Sequence, residues 1–313
     1  MKFKGIICGI LSAVCYGTNP LGALPLYEEG VNTLSTLLYR FTIAVIILGM
    51  MLLIGQKSFR VNGRELKVLV SLGLLQAVAC FTFYQSFHHM EAGIASTILF
   101  VYPVMVAIIM ATVFKEHITF STIGAILLAL AGIAFLYRGK AGITLDTTGT
   151  LLVMVSSLAT AIYMVIINMS SIRISSLKLT FYVMLICVLS LLAYSFTSPD
   201  LRLQIPPSPR AWFFACWLGL VPTVLSLVFM AIAIHEVGAT PTAIMGALEP
   251  LTAVAIGVMV FGESMTFRLM VGIVLILAAV SLIVLGKNFH LRTITHSMSK
   301  MTRTVMKTWR WKS

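Results

Sequence analysis

Residues 114–120 read FKEHITF and residues 261–267 read FGESMTF, so the block F-x-E-x-x-T-F occurs twice in this chain. The offset between the two blocks is 147 residues, and at the same offset 88–139 aligns with 235–286 without a gap, with 14 identities in 52 positions. Biased composition repeats Leu, Ile and Ala by chance, but it does not readily match a Pro, a Glu, a Thr and two Phe at one offset. The sequence therefore predicts an internal duplication.

The composition places both copies in a membrane. Of the 313 residues, 59% are hydrophobic and only 10% are charged, and the mean hydropathy is +1.01, whereas a soluble domain carries about 25% charged residues. The formal net charge of +12 therefore does not indicate a nucleic-acid-binding protein. A disulfide-stabilised secreted fold is disfavoured because the cysteines are odd in number and lie in apolar runs. The five are Cys8, Cys15, Cys80, Cys187 and Cys216.

Ten apolar runs are long enough to cross a bilayer. A hydrocarbon core about 30 Å thick needs roughly 20 apolar residues in a helix, and the sequence lacks the alternation of barrel strands. We therefore predict an all-α membrane protein with ten transmembrane helices as two inverted five-helix repeats, because an odd number of spans per repeat inserts the second copy upside down. The predicted spans are 6–27, 34–54, 66–87, 94–114, 119–137, 149–168, 177–197, 211–234, 241–261 and 267–285.

The distribution of Lys and Arg predicts the orientation. With the N-terminus in the cytoplasm, 16 of these residues lie in inside segments, 5 in outside segments and Arg40 within a span. We therefore expect a multi-pass protein of the plasma membrane with both termini cytoplasmic. Its three parts are a first repeat (1–140), an inverted second repeat (141–286) and a basic cytoplasmic tail (287–313). The tail is either a solvated extension or an amphipathic stretch lying on anionic lipid.

Each repeat has a proline in its fourth helix (Pro103, Pro250) and a closing F-x-E pair (Glu116, Glu263). In these features the chain resembles the drug/metabolite transporter superfamily, EamA type, over about residues 5–286. The resemblance implies a carrier of amino acids, other metabolites or drugs, often a proton-linked exporter or an exchanger. Inverted repeats around a midplane site are also the architecture of secondary transporters. We predict a secondary active transporter that moves small organic metabolites outward by alternating access, coupled to protons or to exchange.

Two other classes of function stay open at this point. A non-transporting membrane scaffold or receptor has the same composition. An intramembrane enzyme is less favoured, because the sequence has no G-x-S-x-G, no H-E-x-x-H and no paired membrane aspartates. A nucleotide-powered pump is also disfavoured, because no phosphate-loop motif occurs. We predict no catalytic residue, no metal and no cofactor. The expected partners are a small-molecule substrate and membrane lipid, without nucleic acid, for a monomer or a homodimer.

Two ionisable side chains lie inside predicted spans, where each costs about 2.5–3.5 kcal/mol and is a candidate functional group. Glu249 lies about 12 Å from the cytoplasmic end of its span, and Pro250 after it leaves the Gly246 carbonyl free. Its carboxyl group is the candidate for proton coupling or for binding a cation or an amine, with a purely structural role as the alternative. Arg40 lies roughly 9 Å below the outer surface. We expect it to extend outward to the interface, with contact to a substrate carboxylate or to Glu249 as the alternative.

Further polar side chains at span depth predict a wet central cavity with aromatic walls. The stretch 16–20 predicts a break in the first helix, because Pro20 frees the carbonyl of Tyr16. Pro103 and Pro250 predict kinks in the fourth and ninth helices. Each polar group singly is expected to hydrogen-bond between helices. The candidate cavity residues are Tyr16, Asn19, Arg40, Gln76, Tyr84, Tyr102, Tyr163 and Glu249.

Overall fold

The computed structural model describes residues 2–56, 58–115, 120–137, 146–170, 174–197, 202–238, 241–242 and 245–282. All regular structure in these ranges is helical, as predicted. The helices are α1 (Lys2–Gly17), α2 (Asn19–Glu28), α3 (Thr33–Ile54), α4 (Gly63–Ser86), α5 (Ala92–Leu99), α6 (Tyr102–Val113), α7 (Phe120–Tyr137), α8 (Thr147–Met169), α9 (Ser176–Ser195), α10 (Pro209–Gly219), a π-helix (Leu220–Leu225), α11 (Ser226–Val237), α12 (Leu248–Phe261) and α13 (Phe267–Leu282). The predicted tail 287–313 and Glu116 lie outside the described residues.

Helices long enough to cross a membrane make up most of the described chain. Seven stretches combine the required length and hydropathy: Phe3–Glu28, Thr33–Ile54, Gly63–Ser86, Ala92–Val113, Thr147–Met169, Ser176–Ser195 and Pro209–Val237. Three shorter apolar helices, Ile123–Ile133, Leu248–Phe261 and Phe267–Leu282, lie where the fifth, ninth and tenth spans were predicted. The protein is therefore a multi-pass membrane protein, and the count of ten spans stays a prediction.

Several predicted spans are interrupted. The first span breaks at Thr18, two residues before Pro20, and the fourth breaks at 100–101, before Pro103. In the ninth, a turn at 246–247 precedes α12, which carries Pro250 at its third position. The breaks in the fourth and ninth spans thus lie at almost the same point of the proposed repeat. A proline supplies no N–H to the preceding turn, so the ladder of helical hydrogen bonds is interrupted on its N-terminal side.

The two halves pack against each other in a reciprocal way. Helix α4 packs on α8 as α11 packs on α1, and α6 packs on α8 as α12 packs on α1. Helix α3 packs on α9, and α5 packs on α12. Exchanging the first half with the second therefore leaves this set of contacts between the halves unchanged.

Small residues let the helices of the two halves approach closely. A methyl group at Gly5 of α1 would lie 2.7 Å from side-chain atoms of Glu236 and Val237, at the end of α11. Further along the same contact, Ser12 Oγ donates to the Ser226 carbonyl at 2.8 Å. In lipid, where the hydrophobic effect between helices is weak, such close packing and hydrogen bonding hold helices together.

Candidate functional site

Arg40 is buried in the middle of the helix bundle. Its side chain is 3% exposed, and it lies on the face of α3 that also carries the buried Leu37, Phe41 and Ala44. The guanidinium Nε donates to Thr223 Oγ1 at 2.8 Å, and Nη1 donates to the hydroxyl of Tyr84. The expectation that Arg40 extends outward to the interface is wrong, because the side chain points between α4 and the π-helix instead.

A short series of hydrogen bonds continues from Arg40 to the break in the first span. The fully buried Tyr84 donates to Asn19 Oδ1 at 2.9 Å, and Asn19 Nδ2 donates to the Tyr16 carbonyl at 2.7 Å. This is the carbonyl that Pro20 deprives of its helical partner, so the Asn19 amide replaces the missing N–H. We call Arg40, Tyr84, Asn19 and Thr223 the Arg40 cluster.

Thr223 and its π-helix were not foreseen from the sequence. The π-helix Leu220–Leu225 contains Pro222, and Thr223 donates to the Leu218 carbonyl at 2.8 Å while it accepts from Arg40. A π-turn widens a helix and re-aims its side chains, and such turns are frequent at functional sites. Pro222 inside an apolar run was the signal that could have pointed to this irregularity.

The charge of Arg40 is not neutralised by an acidic side chain of the described residues. Only neutral hydroxyl groups accept its hydrogen bonds, and the rings of Phe41 and Tyr84 lie 5.5 and 5.3 Å from the guanidinium carbon. The ion pairs of the described residues do not include Arg40, so the alternative of a direct contact with Glu249 is not realised in this conformation.

Glu249 lies at the second position of α12 and is half-buried. Its helix start packs closely on the end of α1, since a methyl group at Gly17 would lie 2.7 Å from the Glu249 carbonyl oxygen. The prediction that the Gly246 carbonyl is left free is wrong, because the Glu249 amide donates to it at 3.0 Å. Within the described residues, no hydrogen bond or ion pair reaches the Glu249 carboxyl group.

Two tyrosines lie near Glu249, and one of them is also near Arg40. The half-buried Tyr16 lies within electrostatic range of both Arg40 and Glu249, and Tyr102 within range of Glu249. Tyr102 and Glu249 hold the same position in the two repeats. The structure thus brings Arg40, Tyr16, Glu249 and Tyr102 into one region, where the interrupted helices α1–α2, α5–α6 and α12 meet.

The other two candidates lie further along the bundle. Gln76 Nε2 donates to Cys80 Sγ on its own helix at 3.1 Å, and the half-buried Tyr163 of α8 lies within electrostatic range of Cys80 and Cys187. Neither hydrogen-bonds to the Arg40 cluster among the described residues. Both side chains are half-buried.

The kink at Pro103 is stabilised from the other half. Pro103 leaves the Leu99 carbonyl without its helical donor, and Ser157 Oγ of α8 donates to this carbonyl at 2.9 Å. The repeat offers no equivalent for Pro250, since Ile10 stands where the hydroxyl would be required. The carbonyls at the two kinks therefore accept hydrogen bonds from different groups: Leu99 from the Ser157 hydroxyl and Gly246 from the Glu249 amide.

Polar contacts join the two halves where α4 ends and α5 begins, which we call the α4–α5 end. Glu263 accepts hydrogen bonds from the amides of Ala92 and Gly93 at 2.7 and 3.1 Å, and His89 pairs with Asp146 at 2.7 Å. Glu263 belongs to the F-x-E-x-x-T-F block of the second half but caps α5 of the first. Glu263 therefore joins the two halves, while Thr266 of the same block accepts a hydrogen bond from the Leu269 amide at the start of α13.

Titrating groups at the α4–α5 end have shifted pKa values. Burial raises the pKa of the Glu263 carboxyl, against the opposing effect of the two amides that donate to it. The hydrogen bond from the Thr148 amide holds the pKa of the exposed Asp146 below its usual range, and pairing with His89 acts in the same direction. Burial and the neighbouring His89 lower the pKa of His88, which stacks on Tyr27 with ring centres 4.3 Å apart.

The sequence profile of the EamA-like transporter family matches this chain twice, over residues 3–138 and 147–285. The chain belongs to that family, and with it to the transporters of the drug/metabolite class.

Individual proteins show the same likeness. An uncharacterized transporter of Archaeoglobus fulgidus is 26% identical over 218 residues, which are 70% of this chain and 76% of that protein. A second uncharacterized transporter of the same organism is 27% identical over 125 residues, 40% of this chain and 43% of that protein. A crystal structure with 16% sequence identity superposes with a TM-score of 0.63, covering 89% of this chain and 95% of the other. That last likeness establishes a shared fold along nearly the whole chain.

Proposed function

We propose that this protein is a secondary active transporter that moves small organic metabolites, amino acids or related compounds among them, out of the cell by alternating access. The observation that carries the proposal is that Arg40 and Glu249, two ionisable groups not paired with each other among the described residues, both lie near Tyr16, where interrupted helices of both halves converge. Ionisable groups are retained inside a membrane where they serve a substrate or ion pathway.

The architecture supports alternating access. Two matches to one family profile, the reciprocal packing of helices and the matching breaks in the fourth and ninth spans support two related halves. In such transporters one half moves against the other around a site near the midplane, and the site is built from discontinuous helices. On the Lys and Arg distribution, the protein lies in the plasma membrane with both termini in the cytoplasm, and the second half is inverted.

Glu249 is the proposed coupling group. Its carboxyl has no hydrogen-bond donor among the described residues and lies at the start of α12, in a half-buried position. A carboxyl that is poorly solvated binds a proton more readily than one in water. When the site closes to one side of the membrane and opens to the other, the solvation of the Glu249 carboxyl would change. The carboxyl would then take up a proton on one side and release it on the other.

The test uses purified protein in proteoliposomes. A thermal-shift screen against amino acids and related metabolites first identifies a solute that stabilises the folded protein, and flux of that solute is then measured between pH 5.5 and 8. We expect wild-type flux to depend on a pH difference across the membrane and Glu249→Gln to remove this dependence. The exposed Glu28→Gln is the matched control, because its carboxylate lies on the surface beside Arg210. If Glu249→Gln carries the same pH-dependent flux as wild type, the coupling role is wrong.

A further inference from the structure

The guanidinium of Arg40 is an unneutralised cation in the interior of a membrane protein. It is 3% exposed, and among the described residues its Nη2 has no hydrogen-bond acceptor. Buried cations are ordinarily paired with an anion, since burying a charge alone is costly. The hydroxyl groups of Tyr84 and Thr223 lower this cost but supply no negative charge.

The neighbours of Arg40 do not need it for their own hydrogen bonding. Tyr84 keeps Asn19 as its acceptor, and Thr223 keeps the Leu218 carbonyl. Both hydroxyl groups would thus remain paired if the guanidinium were absent. They hold Nε and one N–H of Nη1 in place, and among the described residues the second N–H of Nη1 and both of Nη2 remain available to a ligand.

The second half builds the same helix contact without a charge. At the repeat offset, Cys187 of α9 stands where Arg40 stands in α3, and the α9–α4 contact corresponds to the α3–α10 contact. Cys187 is fully buried and its thiol donates to the Gly73 carbonyl at 3.2 Å. The helix crossing therefore forms with a small neutral side chain, and a structural requirement does not explain the arginine.

We infer that Arg40 is the receptor for the carboxylate of the transported solute, and this inference rests on the proposed transport function. The planar guanidinium fork matches two carboxylate oxygens, and a carboxylate would neutralise the buried charge. Solutes that carry a carboxylate, amino acids and organic acids alike, are then accepted, and solutes without an anionic group are rejected. Tyr84 and Thr223 are positioning residues, because their neutral hydroxyl groups orient the guanidinium and the guanidinium binds the carboxylate.

The experiment lets the protein choose among many solutes. Proteoliposomes are loaded with a uniformly ¹³C-labelled metabolite extract, and the metabolites released are identified by mass spectrometry for wild type, Arg40→Gln, Arg40→Lys and protein-free liposomes. We expect every metabolite released by the wild type above the protein-free level to carry a carboxylate. Arg40→Gln should lower its release about tenfold or more, as the loss of a charged hydrogen-bond donor implies. Arg40→Lys should retain part of it, because it keeps the charge and loses the fork geometry.

A second measurement needs no variant. The released metabolite and its carboxamide analogue are added outside as competitors, and the carboxamide should inhibit wild-type flux about tenfold or more weakly. Release of carboxylate-free metabolites at comparable rates, or equal competition by the carboxamide, overturns the role of Arg40 while transport itself stands. If no metabolite leaves the proteoliposomes faster than in the protein-free control, the proposed transport function fails, and the role of Arg40 falls with it.

Discussion

Replacing Arg40 with methionine tests whether the arginine is needed to bind the solute or to stabilise the fold. Methionine is unbranched and close in volume, so the substitution removes the charge and leaves the space filled. A structural ion pair that loses one partner costs about 3–5 kcal/mol. Arg40 has no such partner among the described residues, so this loss is not expected here.

The expected magnitude follows from the contacts of the guanidinium. Removing the charge relieves a desolvation penalty of several kcal/mol and removes two hydrogen bonds from a charged donor, worth about 1.5–3 kcal/mol each. The two ring contacts, at 5.5 and 5.3 Å, contribute roughly 1 kcal/mol more. These terms nearly cancel, so Arg40→Met should change the stability of the ligand-free protein by less than about 2 kcal/mol in either direction.

Thermal unfolding in detergent, followed by intrinsic fluorescence, measures this change. A change of 1 kcal/mol shifts the Tm of a chain of this size by on the order of 2 °C, so the Tm of Arg40→Met should stay within about 4 °C of wild type. The same substitution should abolish the Tm rise that a bound solute causes. Arg210→Met, with its arginine side chain 63% exposed, is the matched control and should retain that rise. A Tm drop of about 8 °C or more in Arg40→Met would show that the arginine is structural and refute the reasoning.

Three further changes test individual contacts. Ser157→Ala should destabilise the protein by about 1 kcal/mol, because it leaves the Leu99 carbonyl without a donor. Pro103→Ala restores a backbone donor to this carbonyl. In a double-mutant cycle based on Tm values, the loss caused by Ser157→Ala should therefore be smaller in the Pro103→Ala background. Glu263→Ala should cost about 1–3 kcal/mol in the same assay, since two amides at the start of α5 lose their acceptor. The lowered pKa of His88 means that the unfolded chain binds its proton first, so wild-type stability should fall as the pH drops below about 6.5, and His88→Phe should remove this part of the pH dependence.

The helical architecture was largely predictable because the bilayer imposes it. Backbone groups in lipid must be paired within the segment, so apolar runs of sufficient length give helices, and the prolines at positions 20 and 103 give breaks nearby. The predicted spans that continue into residues outside the described ranges have no such comparison. The helix Leu248–Phe261 is shorter than the predicted span 241–261, because a turn at 246–247 precedes it.

The orientation of Arg40 could not be predicted from its depth. In a soluble helix an apolar stripe identifies the buried face, but most side chains of α3 are apolar, so the apolar pattern does not distinguish the lipid-facing side from the protein-facing side. Its burial depends on Thr223, which lies 183 positions away and reaches the guanidinium because a π-helix re-aims it. The cap that Glu263 places on α5 likewise depends on the packing of the two halves and has no local signal.

The two halves also differ in ways that the repeat alone could not reveal. Cys187, Ala231 and Ile166 stand at the repeat positions of Arg40, Tyr84 and Asn19, so the duplication does not give a second copy of the Arg40 cluster. Glu249 in turn has Tyr102 as its counterpart. The proposed site would thus have its cation in one half and its carboxyl group in the other, an asymmetry that suits the proposed role of orienting a solute.

The central claim is that the two halves enter the bilayer in opposite senses, and cysteine labelling tests it directly. In a variant without the five native cysteines, Lys115→Cys and Met265→Cys are placed singly after α6 and after α12, which end the fourth and ninth predicted spans. A membrane-impermeant maleimide applied to intact cells should label Met265→Cys and leave Lys115→Cys unlabelled until the membrane is permeabilised. Labelling of both positions from the same side would contradict the inverted duplication.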